Sequence, residues 1–194
     1  MEQDKRVIKT KAAITDAFLA LLHKKAIDQI TVNDICEKAF ISRNTFYAYY
    51  TDKYKLLDVL SEQFVKELCD ETLNRNVFTG YRPSINEYQA SVSKTAQLFF
   101  DYLNERREMV VLLSKNNPYF WQTFTDGLFE FTLTYSGSRD DRTRVFVTYS
   151  VNAVTGCYKA YFEGRLPMKP QDFIQYLTVV AETANRFMIK SDSF

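Results

Sequence analysis

Apolar residues recur along most of the chain at intervals of three and four, the spacing that lines one face of an α-helix, and no run alternates as a strand would. Residues 5–25 carry Val7, Ile8, Ala12, Ile14, Ala17, Phe18, Leu21 and Leu22 in this way, behind a basic start of Lys5, Arg6, Lys9 and Lys11. Thr31 is a good N-cap, and Asp34 three residues later makes a near capping box, which predicts a short helix over 32–39. Phe40-Ile41-Ser42 forms a turn, Ser42 caps again, and residues 43–50 form a second short helix. A long helix starts at Thr51 or Asp52 and runs to about Asn74, with Leu56, Leu57, Leu60, Phe64, Val65 and Leu68 on one stripe. The stretch from Asn76 to Pro83 holds the first Gly and Pro and reads as a loop. Further helices are predicted at 84–103, 105–114, 118–135, 141–163 and 170–188, with breaks at Asn116-Asn117-Pro118, Ser136-Gly137-Ser138 and Gly164-Arg165-Leu166-Pro167.

This pattern predicts an all-α protein in two parts: an amino-terminal three-helix module over 1–52 with a helix-turn-helix, and a larger helical domain over 53–194. Composition agrees, since 46% of the residues are hydrophobic and a chain of 194 residues can bury a sizeable core. The net charge of +1 conceals an asymmetry: residues 1–55 hold ten Lys or Arg against seven Asp or Glu, so the positive charge lies at the amino end. An excess that small is ordinary for a solvated surface and names no partner by itself.

Cys36, Cys69 and Cys157 are odd in number and far apart, which argues against a disulfide framework or a zinc site and suits small buried hydrophobes. The first residues form no apolar signal region, and no window approaches a membrane span, so the expected location is the cytoplasm. No Ser, His and Asp group, pair of carboxylates with a metal ligand, or glycine-rich phosphate loop is legible, so neither an enzyme nor a bound cofactor or metal is expected. The lone His23 ends the first helix, a place for carbonyl capping or solvent.

The chemistry is concentrated between Ser42 and Lys53. This stretch crowds hydroxyls, an amide, an Arg and three tyrosines into one segment, too polar for a core helix. Phe46 and Tyr50 lie four apart and share a face, which suits packing against Ile8, Phe18 and Ile35. Arg43, Asn44 and Tyr47, with Ala48 as a further candidate, then project from the opposite side. Arg can hold guanine O6 and N7 and Asn can hold adenine N6 and N7, while Ser42, Thr45, Tyr47 and Tyr49 can donate to phosphates. Lys53 adds charge where the next helix exposes its first N–H groups. Basic residues at the start of the first helix oppose its macrodipole; a nearby phosphate backbone and a solvated basic tail explain them equally well.

The segment from Thr31 through Asn33 and Thr45-Phe46-Tyr47 to Lys53-Tyr54-Lys55-Leu56-Leu57 resembles the amino-terminal module of the TetR family of bacterial transcriptional regulators, over roughly residues 5–60. The resemblance implies that Arg43, Asn44, Thr45, Tyr47, Tyr49 and Lys53 meet a double-stranded DNA operator, with Thr31 and Asn33 near its backbone. Two positions depart from the family pattern. Phe40 stands where Gly is usual in the turn, and Tyr50 where Phe is common.

Beyond residue 60 the resemblance implies architecture alone: a helical domain that senses a signal and forms a homodimer through its last two long helices. Phe146, Val147, Tyr149, Val151, Val154, Tyr158, Tyr161 and Phe162, then Phe173, Ile174, Leu177, Val180, Ala181, Ala184 and Phe187, supply apolar surface for that contact. The run from Gly156 to Pro167 is similar to a Gly, aromatic and Trp pattern of one family branch, with Phe162 where Trp is usual. Phe99, Tyr102, Trp121, Phe124 and Tyr149 are the candidate lining of a pocket for a small hydrophobic or aromatic effector, although aromatics at helical spacing are more often core. Two functions follow: a homodimeric regulator, most simply a repressor, released from DNA by an effector; or a helix-turn-helix protein whose second domain binds a partner protein instead.

Overall fold

The computed structural model describes the backbone of residues 2–75, 85–135 and 139–190, and the side chains of 5–72, 94–134 and 139–180. Every regular element among them is helical: α1 Glu2–Leu22, a 3-10 turn Ile27–Gln29, α2 Val32–Ala39, α3 Arg43–Tyr47, α4 Lys53–Arg75, α5 Ile85–Glu105, α6 Arg107–Asn116, α7 Phe120–Tyr135, α8 Asp141–Phe162 and α9 Pro170–Lys190. The all-α expectation is met. The expected loop at 76–83 and the break at 136–138 lie outside the described residues.

The differences from expectation are local. The second short helix ends at Tyr47 rather than 50, because the Phe46 carbonyl accepts from both Tyr49 N–H and Tyr50 N–H, which closes the last turn. The 3-10 turn at Ile27–Gln29 was not foreseen, being too short to show a period. The helix expected from 118 begins at Phe120, since Asn117 Oδ1 accepts from Tyr119 N–H at 2.9 Å and its carbonyl from Phe120 N–H at 3.1 Å.

Two compact units result. The first comprises Met1–Gln63 and Leu112–Phe120, the second Phe64–Val111 and Trp121–Phe194. Residues 112–120 cluster with the first unit, and the boundary within α4 falls after Gln63. In the first unit α1 packs on α2 and α2 on α3. Ile14, Phe18, Ile30, Ile35, Phe46 and Leu56 form its fully buried centre. Ile8, expected in that core, is 66% exposed: the buried positions of α1 are Ile14, Ala17, Phe18 and Leu22, and Ile8 lies off their stripe.

The 112–120 segment is held by two adjacent amides. Asn116 Oδ1 accepts from Ile27 N–H at 3.1 Å, and Asn117 Nδ2 donates to Asp58 Oδ1 at 3.1 Å and Ser61 Oγ at 3.0 Å. Asn117 and Ser61 are both buried, and each has hydrogen-bond partners, as buried polar groups must.

In the second unit α9 packs against α5 and α8. Tyr161 stacks on Phe173 with ring centroids 4.3 Å apart, and Phe100 sits 5.6 and 5.4 Å from them. Tyr158 is fully buried and donates its hydroxyl to the Ala96 carbonyl at 3.0 Å, while burial pushes its pKa up. Burial also pushes the Cys69 thiol up to about 12, so that this cysteine behaves as a core hydrophobe. At Gly127 an added Cβ would collide with Val65 Cγ1, so glycine permits a close approach of α7 to α4 there.

Candidate nucleic-acid interface

The module is built from its caps. Thr31 Oγ1 accepts from Asp34 N–H at 3.1 Å while Asp34 Oδ2 accepts from Thr31 N–H at 2.8 Å, a complete capping box that starts α2. Lys25 adds an ion pair to Asp34 at 3.0 Å. The Thr31 N–H and then Lys25 hold the Asp34 carboxyl below its usual range. Ser42 starts α3 by accepting from Thr45 N–H at 3.1 Å.

Beneath α3, Phe46 and Tyr50 are buried 5.7 Å apart, as the four-residue spacing requires. They set the opposite face outward. Arg43, Asn44 and Tyr47 are all exposed there, and the Arg43 guanidinium lies 5.9 Å from the Tyr47 ring one turn on. Tyr47 also raises the Arg43 pKa, by a side-chain hydrogen bond first and its nearby charge second.

The hydroxyls can be counted. Ser42 Oγ and Thr45 Oγ1 share one hydrogen bond at 2.9 Å, so of their two protons one is used between them and one remains for an outside acceptor. Thr31 accepts with its oxygen and keeps its proton, and Asn33 is exposed with its amide on Glu37 at 2.7 Å. Tyr49 is half-buried, with the Lys11 ammonium 5.8 Å from its ring centre. Lys11 thus joins the face from α1, a placement set by the packing of α1 and not by any motif around Lys11.

Lys53 has a different occupation from the one its charge suggested. Its ammonium donates to the carbonyls of Ile27 at 2.7 Å, Ile30 at 2.7 Å and Asp28 at 3.3 Å. Those three bonds use all three ammonium protons on the end of the 3-10 turn. The side chain therefore ties the start of α4 to the 26–30 connection, and Tyr54 reinforces it by donating to Asp28 Oδ1 at 3.0 Å.

Phe40, between α2 and α3, has φ 55 and ψ 44, the left-handed region, and is the one non-glycine with positive φ among the described residues. The turn needs that conformation, because the N–H groups of Phe40 and Ile41 then reach the Glu37 and Cys36 carbonyls. A bulky residue pays about 1–2 kcal/mol for it. The Phe40 ring is 95% exposed.

The five aromatic pocket candidates part company. Phe99, Tyr102, Trp121 and Phe124 are buried and in ring contact: Phe99 with Phe131 at 5.9 Å, Tyr102 with Phe64 at 5.5 Å, and Trp121 with Phe124 at 5.5 Å. Tyr149 is 61% exposed, because the buried stripe of α8 runs through Val147, Val151, Thr155, Tyr158 and Phe162 and places Tyr149 on the far side. A recess lined by Glu71, Thr72, Leu98, Tyr102 and Glu105 has about 10 Å³ of room, enough for one water.

The expected dimer surface is also redrawn. Val147, Val151, Tyr158, Tyr161, Phe162, Phe173, Ile174 and Leu177 face inward within the second unit, and among the described residues the exposed large apolar side chains of these helices are Val145 and Tyr149 on α8 and Tyr176, Val179 and Val180 on α9. The side chains of Ala181, Ala184 and Phe187 lie outside the described residues. Among the described residues no helix is long and apolar enough to cross a membrane, and no cluster of His, Cys, Asp and Glu could hold a metal.

Residues 14–60 match the family model of bacterial regulatory proteins of the tetR family. An HTH-type transcriptional regulator of Bacillus subtilis, YxbF, is 27% identical over 116 residues, which cover 60% of this chain and 29% of that protein. The dhaKLM operon transcriptional activator DhaS of Lactococcus lactis is 37% identical over 67 residues, 34% of this chain and 36% of that protein. The aligned stretches thus span about a third of these relatives. The solved structure of a TetR-family transcriptional regulator from Streptomyces coelicolor superposes with a TM-score of 0.67 at 14% identity, covering 92% of this chain and 99% of that one, a likeness of fold.

Proposed function

We propose that this chain, which belongs through residues 14–60 to the TetR family of bacterial transcriptional regulators, binds a near-palindromic DNA operator as a homodimer. The observation that carries the reading is the outward face of α3, where Arg43, Asn44 and Tyr47 stand exposed over a buried Phe46 and Tyr50. Arg43 and Asn44 read base edges in the major groove, and Thr31, Asn33, Ser42, Thr45, Tyr47, Tyr49 and Lys11 hold the backbone. Lys53 contributes its main-chain N–H at the start of α4, since its ammonium is engaged within the module.

The dimer is supported by the exposed apolar pairs Val145 and Tyr149, four apart on α8, and Tyr176 and Val180, four apart on α9. Gly156 lies on α8 beyond Tyr149 with nothing within 4 Å of an added Cβ, which leaves room for a second helix to approach. Such a dimer sets two recognition helices in successive major grooves. A protein lying across promoter DNA blocks it, so repression is the direct output. The 37% identity to DhaS, which is named an activator, favours activation as the second reading.

Control by an effector, on this reading, is a coupling free energy: a molecule that binds the DNA-free form better than the DNA-bound form weakens operator affinity by the same factor. The engagement of Phe99, Tyr102, Trp121 and Phe124 in core ring contacts favours, as the alternative effector, a partner protein over a small molecule.

The test is recovery of the genomic fragments that the protein retains, followed by titration of one fragment at two salt concentrations. With six to ten phosphate contacts, affinity falls by about 10³ to 10⁵ between 50 and 200 mM salt, and Arg43→Ala loses about 1–3 kcal/mol with relaxed base preference. Affinity that ignored salt, or that Arg43→Ala left unchanged, would sink the reading. Tyr149→Glu with Val180→Glu should yield monomers in sedimentation and weaken operator binding.

A further inference from the structure

Phe40 is costly as a structural residue and contributes nothing to the core. The turn requires its left-handed backbone, which glycine adopts without strain, yet the side chain here is a phenyl ring 95% exposed to water. Main-chain bonds from Phe40 and Ile41 to the Glu37 and Cys36 carbonyls close α2 and would survive loss of the ring. Strain of this kind persists only where the surrounding structure imposes it, and it clusters at functional sites.

Phe40 precedes Ser42, the N-cap of α3, by two residues, and Arg43 and Asn44 are the first two residues of that helix. On the reading above, which this inference depends on, that end enters the major groove. The apolar group that a base pair presents there is the 5-methyl of thymine. We propose that Phe40 packs against a thymine methyl next to the bases met by Arg43 and Asn44, and so sets base preference at one further position of each half-site. The contact removes the ring from water only in the complex, and it supplies selectivity without a hydrogen bond.

The experiment uses the full chain and an operator duplex taken from the retained fragments, with each thymine of a half-site replaced in turn by uracil, which removes that methyl and nothing else. The wild type should lose about fourfold in affinity at one position per half-site, the worth of one methyl group transferred from water. Phe40→Gly should bind the thymine and uracil duplexes alike, and Phe40→Leu should keep part of the discrimination. Thermal melting of Phe40→Gly at or above the wild type shows that the module is intact. Equal uracil effects in wild type and Phe40→Gly, or a uniform loss in Phe40→Gly with no uracil-sensitive position in wild type, would overturn the proposal while the DNA reading stands. Failure of the wild type to prefer any duplex over random DNA overturns both.

Discussion

Replacing Lys53 by methionine separates two roles that a lysine at the start of α4 could play. Methionine keeps most of the aliphatic stem and removes the ammonium, so the carbonyls of Ile27 and Ile30, each 2.7 Å from it, lose their charged donor, and the 3.3 Å bond to Asp28 goes with them. A hydrogen bond to a charged group contributes about 1.5–3 kcal/mol when well buried. The two short bonds are part-buried and water can reach some of the freed carbonyls, so the expected loss is about 2 kcal/mol. For a chain of 194 residues this lowers the melting midpoint by about 4–8 °C. Because the ammonium is not counted among the phosphate contacts, the slope of log affinity against log salt should stay within error of the wild type for the fraction that is folded. A lysine on phosphate behaves in the opposite way: the slope falls by about 0.9 per subunit with no change in melting. That second pattern would refute the assignment of Lys53 as an internal tie.

Four other outcomes follow from the same structure. Asn117→Leu removes the buried amide shared by Asp58 and Ser61 and should cost about 2 kcal/mol in urea unfolding, since it strands polar groups in a buried site. Gly127→Val drives a branched side chain into Val65 and should lower stability by about 1–3 kcal/mol in the same assay. Phe40→Gly relieves left-handed strain and should raise the melting midpoint by about 2–4 °C, the equivalent of about 1 kcal/mol. Asp34, held below its usual range by Thr31 and Lys25, contributes stability that is complete above about pH 4 and is lost as pH falls through its lowered folded value. In Asp34→Asn, urea midpoints at pH 6 and pH 3 should therefore differ less than in the wild type.

The sequence by itself determined whatever depends on neighbours within about one helical turn. The capping box of Thr31 and Asp34, the cap at Ser42, and the inward pair Phe46 and Tyr50 were all legible, because caps and facial periodicity act over three or four residues. Those local rules also set Arg43, Asn44 and Tyr47 outward, and Phe40 was already conspicuous in the turn. The left-handed φ that the turn imposes on it is a local matter as well.

Tertiary structure decided the rest, through contacts between residues remote in sequence. Lys53 looked like a cation for phosphate until the carbonyls of Ile27 and Ile30, 26 and 23 residues earlier, were brought within 2.7 Å of it. The Asn116-Asn117 pair read as a helix break, and only packing joined it to Ile27, Asp58 and Ser61 in the first unit. The long helices α8 and α9 are apolar on more than one side, so periodicity could not say which residues the core would claim. Packing buried Val147, Tyr158 and Phe173 and left Val145, Tyr149 and Val180 at the surface, since a helix rich in large side chains offers several nearly equal faces and the shape of its neighbours selects among them.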